Sequence, residues 1–381
     1  MSTDLRVMHV TEGHSKAEGG VTSVVNDLTE NIRNLGSASI VLSTADINEY
    51  TPDGIKFYPL GSTTRSISAL FSGELKENIK RIIVDNKINV IHLHGFWLPL
   101  QLIAARVAIE LNIPFVLTVH GMLEPWLWKG KGWKGFLKKK IYFNFLAYPV
   151  FRHAGFIHAI TEMERKSLST LFPNQKIVIN PNAITLNGGV PSLEEVNKVI
   201  FFIGRINPIK GVHLLLEAFQ KADLPENWTL VIAGPNEVLE YTHKLHDFVK
   251  DYNLEQKVSF VGEVYGENKD KLYKSSWVTV VPSYSEVVGM VNLEAASHQC
   301  PSLTTYNTGL ADWESGGGLL FNPQVESLVD ALTEATQWSH VERLKRGRDS
   351  YKLVKHNYEW GVVGPQWIEN YKIARRAHYE N

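Results

Sequence analysis

The stretch VIFFIGRINPIKG, residues 199–211, decides the fold class. Its first five residues, Val199 to Ile203, form an apolar run that predicts a short buried strand. The strand leads into a loop bounded by glycine and proline that carries two cations, Arg205 and Lys210. A short buried strand that ends in such a loop is typical of a parallel βαβ unit.

The same strand signal recurs along the chain, separated by stretches whose apolar residues are spaced three or four apart. The predicted strands lie near 5–10, 38–43, 90–94, 115–120 and 156–161, and then at 199–203, 229–233, 258–261, 278–281 and 303–305. Each group predicts one α/β domain with a doubly wound, Rossmann-like parallel sheet.

Residues 184–197 separate the two groups of strands. They contain Gly188, Gly189 and Pro191 without clear periodicity, which predicts a linker. We therefore expect a first domain over 1–183 and a second over 198–360. Two such domains on one linker would face a cleft at the carboxyl ends of their strands, where open α/β sheets bind ligands.

Composition excludes several other classes of protein. The chain has 381 residues with 39 Lys+Arg against 40 Asp+Glu, so no overall charge attracts it to nucleic acid. The single cysteine, Cys300, excludes a disulfide framework and a multi-cysteine zinc site and favours a cytoplasmic location. The N-terminus lacks the pattern of a signal peptide, and no segment approaches the roughly 20 apolar residues of a membrane span.

Two glycine-rich segments have patterns that are typical of phosphate or dinucleotide binding. Gly19 and Gly20 precede a predicted helix near 22–35, whose N-terminal amides suit a phosphate, although a simple turn explains such a pair as well. Residues 130–135, GKGWKG, match the spacing of the dinucleotide fingerprint. No strand precedes them, and no ribose-binding acid follows about 20 residues later, so a dehydrogenase loses its main support.

A second loop suited to phosphate follows the predicted strand at 278–281. In the segment PSYSEVVGMVNLEA, residues 282–295, Gly289 falls in the first turn of a predicted helix, whose free amides suit a phosphate. Glu286 and Glu294 offer carboxylates that accept hydrogen bonds from sugar and ribose hydroxyls. Taken singly, these acids could equally be a helix cap and an exposed face.

Taken together, these motifs resemble the family 4 glycosyltransferases, which are retaining enzymes with the two-domain GT-B fold. The most specific part of the resemblance is the pair Glu286 and Glu294, separated by seven residues within the 282–295 segment. Thr118-Val119-His120 and the Gly19-Gly20 loop occur in the expected order. The resemblance covers nearly the whole chain.

The resemblance implies that a nucleotide diphosphate sugar is the donor and that its diphosphate lies in the second domain. Arg205 and Lys210 would hold the diphosphate, together with the amides of Gly289, Met290 and Val291. A uridine diphosphate hexose is the expected donor and guanosine diphosphate sugar the second choice. No metal ion or other cofactor is expected.

The remaining implied roles concern the nucleoside, the sugar and the acceptor. Glu294 would take the ribose hydroxyls, Glu286 the donor sugar, and the loop around Val264 the nucleobase. His120 would face the reacting carbon from the first domain, although a histidine ending a buried strand is also common in a core. Residues 361–381 resemble the family's C-terminal helix, which returns to the first domain.

At some positions the chain departs from the family. The family usually has glycine where Gln299 stands and an aromatic residue where Val288 stands. His92, His94 and Trp97 near the third predicted strand could line an acceptor groove, and core packing explains them equally well.

The segment Trp126 to Tyr148 interleaves six lysines with aromatic residues, a mixture that suits an anionic membrane surface. A solvated loop leading into an ordinary amphipathic helix is an equal alternative. If the segment binds membrane, the acceptor would be a lipid-linked sugar in polysaccharide or glycolipid assembly.

For the reaction we expect front-face departure of the diphosphate, with Glu124 as an alternative base. The rivals are a nucleotide-sugar epimerase of the same fold and a carbohydrate-binding protein without catalysis. The motifs around Arg205, Lys210, Glu286 and Glu294 favour transfer over both.

Overall fold

The structure is a computed structural model that describes residues 4–13, 20–46, 51, 53–129, 132–186 and 196–380. Contacts within the chain divide it into two compact units. The first unit comprises residues 1–183 and 360–381, and the second comprises residues 184–359.

The described part of the first unit contains one seven-stranded parallel sheet. Its strands are β1 (Arg6–Thr11), β2 (Ala38–Ser43), β3 (Lys56–Pro59), β4 (Val90–His94), β5 (Phe115–Thr118), β6 (Phe156–Ala159) and β7 (Ile177–Ile179). They lie in the order β3-β2-β1-β4-β5-β6-β7. The central strands β4, β5 and β6 are buried along their whole length, which accounts for their continuous strand signal.

Helices connect these strands, as parallel pairing requires. They are α1 (Gly20–Asn34), α2 (Gly73–Asp85), α3 (Pro99–Glu110), α4 (Pro125–Lys129), α5 (Gly132–Ile141), α6 (Tyr148–Phe151) and α7 (Glu162–Leu171), with a π-helical stretch at Tyr142–Ala147. The sequence sets several of their starts: Ser72 and Thr161 cap α2 and α7 with their hydroxyls, and Pro99 begins α3.

The second unit has the same architecture with a six-stranded parallel sheet in its described residues. Its strands are β8 (Val199–Ile203), β9 (Thr229–Ala233), β10 (Val258–Gly262), β11 (Val278–Val281), β12 (Ser302–Thr305) and β13 (Leu319–Phe321), in the order β10-β9-β8-β11-β12-β13. Its helices are α8 (Val212–Lys221), α9 (Leu239–Asp251), α10 (Gly266–Ser275), α11 (Met290–Ser297), α12 (Val325–Gln337) and α13 (His340–Asn357).

The last helix, α14 (Trp360–Glu380), belongs to the first unit although it follows the second in sequence. Its buried residues recur every three or four positions, at Val363, Trp367, Tyr371 and Ala374. This stripe packs with apolar residues of β1, β4, β5 and β6 and so covers one face of the first sheet.

The predicted fold class, two Rossmann-like α/β domains, is confirmed by the two sheets. The strands absent from the prediction are β3, β7 and β13, which have three or four residues each and lie at sheet edges. Such short segments carry too little alternation to stand out from a loop.

One departure from the family pattern has a visible backbone consequence. Gln299 has φ of 55°, in the left-handed region that favours glycine. The family's usual glycine at this position therefore matches the backbone that the chain adopts here.

Candidate functional site

In the second unit, the loop that carries both cations lies against the loop that carries Glu286. We call residues 204–211 the cation loop and residues 282–289 the acid loop. Tyr284 N donates to Ile209 O at 2.9 Å, which links the two loops through their backbones. At Gly211 φ is 69°, and a Cβ there would lie 2.2 Å from Pro282 O, so only glycine allows this approach.

The junction of these loops brings Lys210 and Glu286 together. Lys210 Nζ lies 3.1 Å from Glu286 Oε1, and the two side chains are 18% and 12% exposed. Ser283 Oγ donates to the same carboxylate oxygen, and Glu286 N donates to Asn307 O at 2.9 Å. A cation and an acid that were predicted from separate motifs thus form one ion pair. Hydrogen bonds with Ser283 and Asn307 also hold the acid in place.

Arg205 has a partner that the sequence analysis did not identify. Its Nη1 lies 2.6 Å from Glu237 Oε1, with 56% and 40% of the two side chains exposed. Asn207 Nδ2 donates to the other oxygen of Glu237, which steadies this acid beside the cation loop. An ion pair this exposed contributes at most about 1 kcal/mol, so a phosphate could replace the carboxylate at little cost.

A signal for Glu237 was present in the sequence. The segment Gly234 to Glu237 follows β9, so this acid stands at the carboxyl end of the strand next to β8. Neighbouring parallel strands end at the same edge of a sheet, where ligands bind. A search for polar residues after every strand would have found it.

The N-terminus of α11 is only partly free to bind a ligand. Gly289 N donates to Thr308 O and Met290 N donates to Val288 O, each at 2.9 Å. The Val291 amide has no hydrogen-bond partner within the described residues. Of the three predicted amides, that of Val291 is therefore the one left available.

Glu294, further along α11, is held by two side chains of α10. Tyr273 O–H donates to Glu294 Oε2 at 2.9 Å, and Lys269 Nζ lies 3.2 Å from the same oxygen. Burial, together with this carboxylate, raises the pKa of Tyr273 well above its usual value. Val264 packs against the buried cluster that includes Tyr273, so the predicted nucleobase and ribose residues share one neighbourhood.

The Gly19-Gly20 loop is only half described. Gly19 lies outside the described residues, and Gly20 begins α1. A Cβ at Gly20 would meet nothing within 4 Å among the described residues, so none of these requires glycine there. Close approach of a ligand to Gly20 stays a prediction.

In the first unit, four buried histidines on three strands, β1, β4 and β6, form a cluster with His120, which follows β5. His9 pairs in register with His92, and Thr118 pairs with His94 on one side and His158 on the other. Because residues at the same level of a parallel sheet point to the same face, register places these side chains together. We call His9, His92, His94, His120 and His158 the histidine cluster.

His120 follows β5 with φ of 51°, which turns its backbone out of the strand. Its Nε2 lies 3.0 Å from His94 Nδ1, and His94 Nε2 lies 3.0 Å from His9 Nδ1. The predicted catalytic histidine is therefore the half-buried end of a chain of three imidazoles.

A second hydrogen-bonded chain crosses the cluster from helix α14 to the end of β7. His92 Nδ1 lies 2.7 Å from Tyr371 Oη, and His92 Nε2 lies 2.7 Å from Thr118 Oγ1. Thr118 Oγ1 lies 2.8 Å from His158 Nδ1, and His158 Nε2 lies 2.6 Å from Asn180 O. His92 and His94 are therefore core residues, as one of their two sequence interpretations held.

Burial keeps these imidazoles neutral. It lowers the pKa of His9 and of His120 to about 3 and that of His158 to about 4. It lowers the pKa of His92 and His94 well below the usual value, with smaller contributions from the neighbouring histidines. At neutral pH each ring thus has one N–H and one lone pair.

The loop after His120 is fastened by an acid that the sequence analysis missed. Glu164 on α7 accepts hydrogen bonds from Gly121 N and Ile160 N, both at 2.7 Å. Burial raises the pKa of Glu164 to about 7, against the lowering effect of the two amides. Nearby Glu124 is half-buried, which raises its pKa, and Ser167 Oγ donates to it at 3.5 Å.

The histidine cluster also contains a grouping that could in principle hold a metal ion. Ligand nitrogens of His9, His92 and His94 all lie within 4.8 Å of one another. Both nitrogens of His92 and of His94 already have hydrogen-bond partners in the chain, so a metal would have to displace some of them. Metal-free chemistry stays a prediction.

The basic and aromatic segment forms an uncovered surface. The described residues of α5 include no buried side chain. One exposed face carries Trp133, Phe136, Leu137 and Ile141, the last three lying three, four and eight residues after the first. The segment's side chains at Trp126, Lys129 and Lys131 lie outside the described set.

Lysines of this segment differ in their surroundings. Lys139 Nζ donates to Leu127 O at 2.8 Å and lies 5.1 Å from the centre of the Trp97 ring, so it faces the protein. Lys134, Lys138 and Lys140 are exposed. Within the described residues, no helix is both long enough and apolar enough to cross a membrane.

Comparison with known proteins gives matches along nearly the whole chain. The model of Glycosyltransferase Family 4 matches residues 18–187, and the model of Glycosyl transferases group 1 matches residues 190–347. An uncharacterised glycosyltransferase of Methanocaldococcus jannaschii is 25% identical over 383 residues, which cover 93% of this chain and 95% of the relative.

Solved structures share the fold over both units. Sucrose-phosphate synthase from Thermosynechococcus elongatus has a TM-score of 0.77 and 18% identity, covering 98% of this chain and 100% of that one. HepE of Anabaena, in complex with UDP and glucose, has a TM-score of 0.74 and 16% identity, covering 96% of this chain and 99% of that one. At these identities the likeness concerns the fold.

Proposed function

The chain belongs to the family 4 glycosyltransferases and has the GT-B fold, and from this premise we propose that it is a retaining, metal-independent hexosyltransferase. Its donor would be a UDP-hexose and its acceptor a carbohydrate or lipid-linked sugar, in polysaccharide or glycolipid assembly. The contact between Lys210 and Glu286 at the junction of the two loops carries this proposal.

This contact places a cation and a sugar-binding acid at one point of the second unit. A diphosphate would take Lys210 Nζ from Glu286 and Arg205 from Glu237, since phosphate oxygens carry more charge than a carboxylate. Glu286 would then be free to accept hydrogen bonds from the donor sugar. The ion pairs keep both cations in place until the donor arrives.

Uridine is the proposed nucleoside. HepE, which shares the fold, is described in complex with UDP and glucose, and Glu294 beside Tyr273 suits a ribose diol. Thermal-shift and calorimetric titration with UDP, GDP and ADP and their glucose or mannose conjugates tests this proposal. Binding confined to guanosine or adenosine diphosphates would overturn it.

For the reaction itself we propose front-face departure. The acceptor oxygen forms the new glycosidic bond on the face from which the diphosphate leaves, and a diphosphate oxygen takes the acceptor's proton. Arg205, Lys210 and the N-terminus of α11 would stabilise the charge that grows on the leaving group. Within the described residues of the second unit, no metal-binding cluster of His, Cys, Asp and Glu accompanies these cations.

The deciding experiment measures transfer and donor hydrolysis in excess chelator for the wild type, Arg205→Ala and Lys210→Ala. Each substitution should lower kcat on the order of 10² to 10³. Lys244→Ala is the matched control, since Lys244 pairs with Glu240 on the exposed face of α9, and it should leave the rate unchanged.

Three outcomes would contradict the proposal. Loss of wild-type activity on chelation, restored by magnesium or manganese, would overturn metal independence. Near-normal rates in both folded alanine variants would remove the cations from the site. Product analysis that shows an epimerised nucleotide sugar instead of a glycoside would favour the rival epimerase.

We also propose that α5 binds an anionic membrane surface. Its apolar face is strongly exposed, with Trp133 71% exposed and Phe145, just beyond the helix, 74% exposed. Lys134, Lys138 and Lys140 are exposed on the same helix, and each could add about 1 kcal/mol of attraction to anionic lipid. Apolar residues beside lysines suit a helix lying in the interface.

Cosedimentation tests the membrane proposal by comparing vesicles of phosphatidylcholine alone with vesicles that also contain phosphatidylserine. Binding should require the anionic lipid and should fall on changing Lys134, Lys138 and Lys140 together to glutamine. The control changes Lys244, Lys250 and Lys271 to glutamine, which removes the same charge from exposed positions elsewhere. Equal binding by the two triple variants would refute a role for α5.

A further inference from the structure

The two hydrogen-bonded chains of the histidine cluster differ in how firmly their ends set the positions of the protons. In the chain that ends at Asn180, the last acceptor is a backbone carbonyl, which cannot donate. His158 must therefore hold its proton on Nε2 and accept from Thr118 on Nδ1. It follows that His92 donates from Nε2 to Thr118 and accepts from Tyr371 on Nδ1.

The other chain, formed by His9, His94 and His120, has no such carbonyl. Each neutral ring has one N–H, so the three rings can direct their protons either towards His120 or towards His9. At the far end, His9 Nε2 is buried without a hydrogen-bond partner among the described residues. Whether His9 Nε2 carries a proton therefore distinguishes the two directions of the protons.

If the protons pointed towards His9, its Nε2 would be a buried N–H without an acceptor. If they point towards His120, the same nitrogen holds only an unused lone pair. In protein backbones a buried N–H without a partner is rarer than an under-used carbonyl acceptor, and we apply the same preference to the ring nitrogens. The order in which the protons point towards His120 is therefore favoured. His9 Nδ1 donates to His94 Nε2, and His94 Nδ1 donates to His120 Nε2.

We propose that His9 and His94 are positioning residues that hold His120 as the neutral tautomer with its proton on Nδ1. His120 Nδ1 has no partner within the described residues, so it can donate to a substrate oxygen. His120 then has no free lone pair, because the one on Nε2 accepts from His94.

The catalytic meaning of this tautomer rests on the proposed function. A ring that only donates can hold an oxygen of a bound sugar, whereas it cannot take the proton of the acceptor. That division of labour fits front-face departure, in which the diphosphate takes the proton. His120 thus acts as a hydrogen-bond donor and not as a general base.

Nitrogen-15 spectra of the full-length protein with labelled histidine side chains test the tautomer directly, at pH 7.5 and without substrate. The signals are assigned with single substitutions of each cluster histidine. We expect a protonated Nδ1 and an unprotonated Nε2 in His120, and an unprotonated Nε2 in His9. A proton on His120 Nε2 would overturn the proposal, as would binding of one equivalent of zinc by the unmodified cluster.

Substitutions at His94 connect the tautomer with turnover. In His94→Gln the amide can still donate to His120 and accept from His9, so the His120 signals and most of the turnover should be kept. In His94→Leu the His120 signals should become an average of both tautomers, and kcat should fall about ten-fold, equivalent to about 1.4 kcal/mol, with little change in KM. Unchanged His120 signals in His94→Leu would overturn the proposal.

His94→Phe is the second variant if His94→Leu does not fold. It keeps a ring of similar size but removes the N–H that donates to His120 Nε2, so the His120 signals should again become averaged. The spectra need no donor or acceptor, so they test the tautomer even if the transferase assignment fails. Conversely, transfer activity with the opposite tautomer would leave the transferase assignment standing and refute only the positioning role.

Discussion

Polar groups are held in opposite ways in the histidine cluster and in the paired cation and acid loops. The cluster is buried and neutral, and its side chains are tied to one another across four strands and helix α14. The loops carry charge, are partly exposed, and hold their cations in ion pairs that a ligand can replace. Groups that must keep one orientation lie in a rigid network, and groups that must exchange partners lie near solvent.

The largest expected effect is selective acid unfolding of the first unit. An unfolded histidine has a pKa of about 6.5, whereas the pKa in the folded protein is about 3 for His9 and about 4 for His158. Below about pH 6.5 the histidines of the unfolded chain therefore bind protons, whereas those of the folded chain do not. This part of the stability is complete above that pH and is lost as the pH falls towards the folded values.

Each fully buried histidine should remove about 1.4 kcal/mol of stability per pH unit in this range. Glu164 acts in the opposite direction, because its raised pKa of about 7 favours the folded state as it becomes protonated. Four fully buried histidines against one such acid leave a net loss. Hydrogen exchange at pH 7.5 and 5.0, corrected for intrinsic rates, should show opening of the first unit before the second, and the reverse order would contradict this expectation.

A smaller effect tests the close approach of the two loops. Gly211 and Gly262 have nearly the same φ, 69° and 70°. A Cβ at Gly211 would lie 2.2 Å from Pro282 O, whereas one at Gly262 would meet no described residue within 4 Å. Gly262→Ala should cost about 1 kcal/mol for the left-handed backbone. Gly211→Ala should cost about 2 kcal/mol more, because the Pro282 backbone must move.

Urea unfolding of both glycine variants measures this difference, with donor binding as a second readout. Donor affinity should fall in Gly211→Ala because Lys210 and Glu286 separate. Equal losses of stability would mean that the two loops are not held together at Gly211.

The smallest effect concerns the acid held by α10. Tyr273→Phe removes the hydroxyl that donates to Glu294 and leaves the Lys269 contact in place. Stability should fall by about 1 kcal/mol, and affinity for UDP by a few-fold if Glu294 binds the ribose. Tyr252→Phe, at an exposed tyrosine, is the matched control in calorimetric titrations and should change neither quantity.

Most of the fold was accessible from local pattern. Buried parallel strands such as β5 and β8 are short, largely apolar runs, and the loop that follows β8 contains the glycines and cations that marked the second unit. Such signals lie within a few neighbouring residues, so the sequence by itself predicts them. The short edge strands β3, β7 and β13 escaped prediction because their pairing with a neighbour, and not their own composition, makes them strands.

The sequence also placed Arg205, Lys210 and Glu286 in loops that follow strands, where a ligand site is expected, and Glu294 in the segment after the last of these loops. It could not tell that Lys210 meets Glu286 or that Glu237 holds Arg205. Those partners lie on different βα units, and only the packing of neighbouring loops determines which side chains meet.

The histidine cluster shows the same limit most clearly. His9, His92, His94 and His158 were each visible in the sequence only as a polar residue in a strand. Strand register puts them on one face, and α14, more than 200 residues later, closes the cluster with Tyr371. Local composition determined which segments fold into strands and loops, and long-range register and helix packing decided which of their polar groups act together.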